Sequence, residues 1–147
     1  MKNKIIIIGV ALATLIAGCK KSETETAAPQ NTGNANLQSL TVTIPSSQWD
    51  VIITGSQYAK QVSVTAITSD VVNKGSVEVF ISTNGNAWEA FADSETRYSY
   101  SVGTITLIRN SMPTFDYQFK IVIITSTAIK TNPSTNWKNY NEVKNIM

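Results

Sequence analysis

The chain has no histidine and a single cysteine, and these two shortages exclude several kinds of chemistry. Without histidine there is no Ser-His-Asp triad, no histidine general base and no histidine-ligated metal or haem site. Cys19 lies near the N-terminus, so the rest of the chain has no thiol for a disulfide, a zinc site or a cysteine nucleophile. Phosphate-binding glycine loops and the HExxH, CxxC and GxSxG motifs are also missing. We therefore expect no catalytic residues, no metal, no cofactor and no enzymatic activity.

What the sequence does contain is a short apolar run at its start. Lys2 and Lys4 introduce residues 5–17, which are almost all apolar and end in small residues. This layout is typical of a secretory signal peptide, and the run is shorter than the roughly 20 apolar residues that a transmembrane helix needs. The residues that close it, Ile16-Ala17-Gly18-Cys19, resemble the lipobox of bacterial lipoproteins.

The resemblance implies cleavage before Cys19, a diacylglyceryl thioether on its sulfur and a further acyl chain, such as palmitate, on its new amine. Several chains, at ~0.8 kcal/mol per buried methylene, hold a protein to a membrane far more firmly than one chain. We therefore expect a signal peptide at 1–18 and a mature protein anchored in the outer membrane of a Gram-negative envelope, at the periplasmic face or the cell surface. An ordinary signal peptide with a chance cysteine, or an uncleaved anchor, is the alternative.

Charge and composition describe the segment after the signal peptide. Two of the 12 basic residues lie in residues 1–18, which leaves ten basic residues against ten acidic ones. This balance lacks the basic excess that nucleic-acid binding requires, so the membrane is the one expected partner and any protein or glycan partner stays unidentified. Residues 19–38 are rich in Thr, Asn, Gln and Ala and contain no aromatic residue, which predicts a disordered tether.

The remaining residues predict a β domain at 39–130 and a tail at 131–147. Short alternating runs separated by turn residues predict an all-β fold, an antiparallel β-sandwich of immunoglobulin-like or Greek-key type with seven or eight strands. The predicted strands cover 40–44, 48–54, 58–67, 76–82, 87–91, 98–108 (one strand, or two around Gly103) and 117–125, with a turn at 69–75. In the tail, Trp137, Tyr140, Val143 and Met147 recur at helical spacing and predict a short helix. The whole pattern resembles short Gram-negative β-sandwich lipoproteins, a resemblance that brings no function and no site residues with it.

Asn84-Gly85 lies between two alternating runs and predicts a two-residue type I′ hairpin. That register pairs Ile81 with Trp88, directs Trp88 into the core and puts Glu78 and Glu89 on one face, about 7–8 Å apart. Two carboxyl groups roughly 5–9.5 Å apart serve glycoside hydrolases, so an acidic pair is one hypothesis. We favour the alternative of two solvated carboxylates, because a hydrolase also needs a cleft and one acid with a raised pKa.

Flat aromatic side chains suggest a second kind of site. Tyr98, Tyr100, Trp137 and Tyr140 are candidates for stacking on sugar rings, and packing in the core or at its edge is the alternative that we favour. The leading interpretation is a lipid-anchored protein with a non-catalytic binding or structural role, offering a sheet edge to a partner strand. A carbohydrate-binding module is the runner-up, and a glycoside hydrolase comes third.

Overall fold

The computed structural model describes residues 25–26, 30–31, 34–53 and 56–147. The predictions about the signal peptide, the lipobox and Cys19 lie outside these residues. In chain order the strands are β1 (Glu25–Thr26), β2 (Gln30–Asn31), β3 (Leu37–Ile44), β4 (Asp50–Ile53), β5 (Gln57–Ser63), β6 (Ser76–Ser82), β7 (Glu89–Ala90), β8 (Thr96–Ser101), β9 (Thr104–Arg109) and β10 (Tyr117–Ile124). The α-helices are α1 (Ser69–Lys74), α2 (Ser126–Thr131) and α3 (Tyr140–Lys144).

The strands form two five-stranded sheets. Sheet A has the order β1–β5–β9–β8, with β4 pairing β5 as well, and sheet B has the order β2–β3–β10–β6–β7. Neighbouring strands are antiparallel, apart from the parallel pair of β1 and β5. The predicted all-β antiparallel sandwich with a short C-terminal helix is confirmed.

The main core lies between the two sheets. On β10, Phe119, Ile121 and Ile123 face it, because side chains alternate along a strand. Other large contributors come from both sheets and from the segments that join their strands: Leu40, Ile44, Trp49, Val62, Ile67, Phe91, Ile105 and Leu107. β10 lies between β3 and β6, which explains why the sequence reads apolar on both faces there.

A second core covers the outer face of sheet B. Val122 and Ile124, the outward side chains of β10, pack with Leu37, Phe80 and Val143. Trp137, Tyr140, Ile146 and Met147 of the tail are partly buried on this cluster. The tail therefore forms a second layer against sheet B.

Two segments differ from the predictions. Residues 69–74 form α1 where a turn was predicted, because the Thr68 hydroxyl accepts the amide of Val71 and starts a helix whose buried face holds Val71. Within the predicted tether, β1 and β2 pair with β5 and β3. The sandwich also begins at Leu37, which is fully buried, and not at residue 39.

The two ends of the sandwich are distinct. We call the end where the chain enters β3 the entry end; it holds Leu37, its partner Ile124 and the β8–β9 turn. At the opposite end, the far end, lie the 83–88 loop and the 110–116 crossover between the sheets. The eight residues of β3 run from one end to the other, which is about 25 Å at ~3.3 Å per residue.

Candidate functional site

The β6–β7 hairpin borders the site, and its register differs from the predicted one. Phe80 pairs with Ala90 and Ile81 pairs with Glu89, so the predicted pairing of Ile81 with Trp88 is wrong by one residue. A type I′ turn needs positive φ at both central residues, and only Gly85, at 76°, has it. The connection is consequently a six-residue loop, 83–88.

Side chains and not a tight turn organise this loop. The Ser82 hydroxyl accepts the amide of Gly85 at 2.9 Å, and the Asn84 side-chain oxygen accepts the amide of Asn86 at 2.9 Å. These side-chain oxygens accept backbone amides that would otherwise bond to the neighbouring strand of a longer hairpin. They hold the loop at the far end of the sandwich.

The one-residue shift moves side chains to opposite faces of the hairpin. Glu89 shares the face of Ile81, toward the space between the sheets, whereas Glu78 shares the face of Phe80. Glu78 is already bonded to the hydroxyls of Ser76 and Tyr98, each at 3.0 Å. The hypothesis of a paired Glu78–Glu89 site is therefore wrong.

The candidate stacking residues belong to two separate clusters. Tyr98 and Tyr100 pack against the main core, and Trp137 and Tyr140 pack against the second core. Trp88, expected inward, also packs on the second core, with its ring centroid 5.9 Å from that of Tyr140. The structure does not bring these rings together in one row.

Instead, a cleft of about 330 Å³ opens between the two sheets at the far end. Sheet A contributes Arg109, the last residue of β9, and sheet B contributes Ile81, Glu89 and Tyr117. Sequence reasoning missed Arg109 as a site residue. The sequence did contain an indication of it. Ile105 and Leu107 are the inward residues of an alternating strand, and Arg109 takes the next inward position.

Among the residues that line the cleft, Arg109 has incomplete hydrogen bonding. Its Nε is buried and has no hydrogen-bond partner among the described residues. Its guanidinium carbon lies 4.6 Å from the centroid of the Tyr117 ring, a cation–π contact that uses the flat face of the group and not its N–H donors. Arg109 belongs to no ion pair within 4.0 Å in the part of the chain that the structure describes. A buried donor without an acceptor costs about 1–3 kcal/mol.

Asp93 supplies a fixed negative charge beside this guanidinium. The amide of Glu95 and the hydroxyl of Thr96 lower the pKa of Asp93 most, and the amide of Thr96 and the charge of Arg109 lower it further, while burial opposes them. One oxygen of Asp93 accepts both amides at 2.7 Å and the Thr96 hydroxyl at 2.9 Å. Glu89 is exposed at the rim. The cleft therefore combines one cation with two carboxylates.

The described residues contain no cluster of three or more His, Cys, Asp or Glu side chains suited to a metal ion. None of the described helices is long and apolar enough to cross a membrane. No protein-family model, no curated protein and no solved structure matches the chain. Interpretation of the cleft therefore depends on its own geometry.

Proposed function

We propose that the protein is a lipid-anchored component of a Gram-negative cell envelope that binds a ligand without transforming it, and that the far-end cleft is its binding site. The observation that carries this proposal is the half-buried side chain of Arg109, which lines a cleft between the two sheets and forms no ion pair within 4.0 Å among the described residues. Pockets with a few convergent polar groups on a preformed scaffold are the usual form of a small-ligand site.

The acids at the cleft favour binding over proton transfer. A general acid needs a pKa raised toward neutrality, whereas the hydrogen bonds to Asp93 lower its pKa. Asp93 therefore stays ionised at neutral pH and acts as a hydrogen-bond acceptor.

The position of the cleft agrees with an anchored protein. The chain enters the sandwich at the entry end, where residues 34–36 precede β3. The cleft lies at the other end of β3, about 25 Å away. A chain moored through Cys19 would hold its entry end toward the lipid and leave the cleft accessible to ligands on the side away from the membrane.

Binding at the cleft is tested by filling it. The full-length native protein and its Ala87→Trp variant are each screened by thermal shift against neutral sugars, uronic acids, amino acids and dipeptides. Ala87 lines the cleft and is exposed, so a tryptophan there fills the space without disturbing the core. We expect at least one probe class to stabilise the native protein and not this variant. Thr127→Trp, an exposed change on α2 at the entry end, is the matched control and should bind normally. Equal binding by Ala87→Trp, or no binding by the native protein, would refute the proposal.

The anchor is tested separately. Cells expressing the full-length protein or Cys19→Ser are grown with labelled palmitate. We expect label on the native protein and none on the variant, because the variant lacks the sulfur that the lipid would modify. An unlabelled native protein, or one that keeps Met1 by mass spectrometry, would contradict the proposed anchor.

A further inference from the structure

We infer that the ligand of the far-end cleft is a small, uncharged saccharide of one or two rings. This inference rests on the proposed binding function and specifies its ligand class. It follows from three properties of the cleft: the arrangement of its charges, its apolar floor and its size.

The charges of the lining oppose a ligand of either sign. Arg109 faces the cleft from sheet A, while Glu89 and Asp93 face it from the β6–β7 side. A net anion would meet the carboxylates of Glu89 and Asp93, and a cation would meet the positive charge of Arg109. A sugar hydroxyl both donates and accepts, so neighbouring hydroxyls can accept from the guanidinium and donate to a carboxylate. A neutral ligand rich in hydroxyl groups therefore satisfies both sides.

The floor of the cleft is apolar. Ile81 and the buried Phe91 line it between the polar groups. The C–H face of a sugar ring suits such a floor, whereas a stacking mode has no free partner, because the guanidinium of Arg109 already lies over the Tyr117 ring at 4.6 Å. The saccharide would thus rest on aliphatic and aromatic edges with its hydroxyls directed at the rim.

Size limits the ligand to a short one. About 330 Å³ is near the lower limit of ligand pockets, which span roughly 300–1,000 Å³. One or two rings, or the end of a longer glycan, fit this space. An amino acid could place its carboxylate at Arg109, but its ammonium group would pair with the exposed Glu89, where solvent screening leaves little gain.

The experiment measures affinity with matched pairs of variants in full-length protein. The probes are glucose, galactose, N-acetylglucosamine and their disaccharides, with glucuronic acid, sialic acid and the 20 amino acids as competitors. Arg109→Gln is compared with Arg97→Gln, since Arg97 lies on the neighbouring strand, opposite Ile108, on the outer face of sheet A. Glu89→Gln is compared with Glu95→Gln, which lies outside the cleft lining.

We expect a neutral probe to bind and Arg109→Gln to raise its Kd about tenfold or more, since a bond to a charged group is lost. Glu89→Gln should raise the Kd severalfold, and each control variant less than about twofold. Arg109→Lys keeps the positive charge but loses the planar, forked guanidinium group, so it should also weaken binding. If Arg109→Gln melts at a much lower temperature than the native protein, Arg109→Lys is used in its place.

Three outcomes would overturn the inference. The first is an acidic sugar or an amino acid that binds more tightly than every neutral probe, with the same dependence on Arg109; this result would leave the proposed binding function in place. The second is equal affinity in Arg109→Gln and Arg97→Gln. The third is no binding by any probe, which would remove the proposed function as well.

Discussion

Truncation of Tyr140 tests whether the C-terminal tail is an integral part of the domain. The ring of Tyr140 lies 5.1 Å, centroid to centroid, from Phe80, and 5.9 Å from Trp88. Its hydroxyl accepts a bond from the ammonium group of Lys120 at 2.7 Å, and that ammonium group also lies 4.5 Å from the centroid of the Trp88 ring. One side chain thus joins the tail to β6, to β10 and to the hairpin loop.

The expected loss follows from these contacts. Truncating a fully buried aromatic residue to alanine costs about 3–5 kcal/mol, so the partly buried Tyr140 should lose about 2 kcal/mol from area and volume. Loss of the edge-to-face contact with Phe80 adds about 0.5–1 kcal/mol, and loss of the bond to Lys120 adds a similar amount. We expect Tyr140→Ala to lower the free energy of unfolding by about 3 kcal/mol, and Tyr140→Phe, which removes only the hydroxyl, by about 1 kcal/mol.

Urea unfolding followed by tryptophan fluorescence and far-ultraviolet circular dichroism measures both losses. Asn141→Ala is the control, because Asn141 is exposed on the same helix and should change the free energy of unfolding by less than about 0.5 kcal/mol. If Tyr140→Ala costs less than about 1 kcal/mol, the second core does not stabilise the domain and the reasoning fails.

Three further predictions concern ionisation and backbone conformation. The hydrogen bonds that lower the pKa of Asp93 stabilise the fold above pH ~4, the unfolded value, and this stability is lost as pH falls through the folded pKa. Asp93→Ala should therefore destabilise the protein at about pH 6 and less at about pH 3, in urea unfolding at both values. Burial and the charge of Glu78 raise the pKa of Tyr98, so stability present below pH ~10 should fall as pH rises further, and Tyr98→Phe should flatten that fall in thermal melts. Gly103→Ala should cost about 1 kcal/mol in urea unfolding, because φ is 78° there with open space around the added carbon. Gly85→Ala should cost more, since φ is 76° and the new carbon also meets the side-chain oxygen of Gln118 at 2.7 Å.

Each of these three results has an outcome that would contradict it. An equal effect of Asp93→Ala at both pH values would show that its charge does not matter to folding. A Tyr98→Phe protein that loses stability above pH ~10 as steeply as the native one would assign the loss to other groups. Equal costs at Gly85 and Gly103 would mean that Gln118 moves aside freely.

The fold was predictable where one physical signal dominated. Alternation along β9, the apolar run of β10 and the break at Gly103 each depend on burial or on one backbone angle, and the structure has the two strands that meet at Gly103. The helix at 69–74 was missed because its start depends on Thr68 as a cap and its stability on burial of Val71. Neither property is visible in so short a segment.

The site was harder to predict because it depends on register. Asn84-Gly85 favours a two-residue turn, but the side chains of Ser82 and Asn84 stabilise a longer loop instead. Because the register is shifted by one residue, Glu89 faces the space between the sheets and Trp88 faces the second core, which is the opposite of the predicted arrangement. Arg109 could have been found from its inward position on β9, whereas its approach to Asp93 depends on a contact between a loop and a strand that no local pattern records.

The order of strands in sheet B has a consequence for synthesis. The strand that joins β3 to β6 is β10, which is synthesised after all the other described strands, and residues 137–147, which cover its outer face, come later still. A nascent chain that ends before Tyr117 would hold β3 and β6 apart with no strand between them, and one that ends before Trp137 would leave Phe80 and Val122 open to water. Completion of the fold must therefore wait for residues 137–147, and translation products that end before them should depend on holding chaperones.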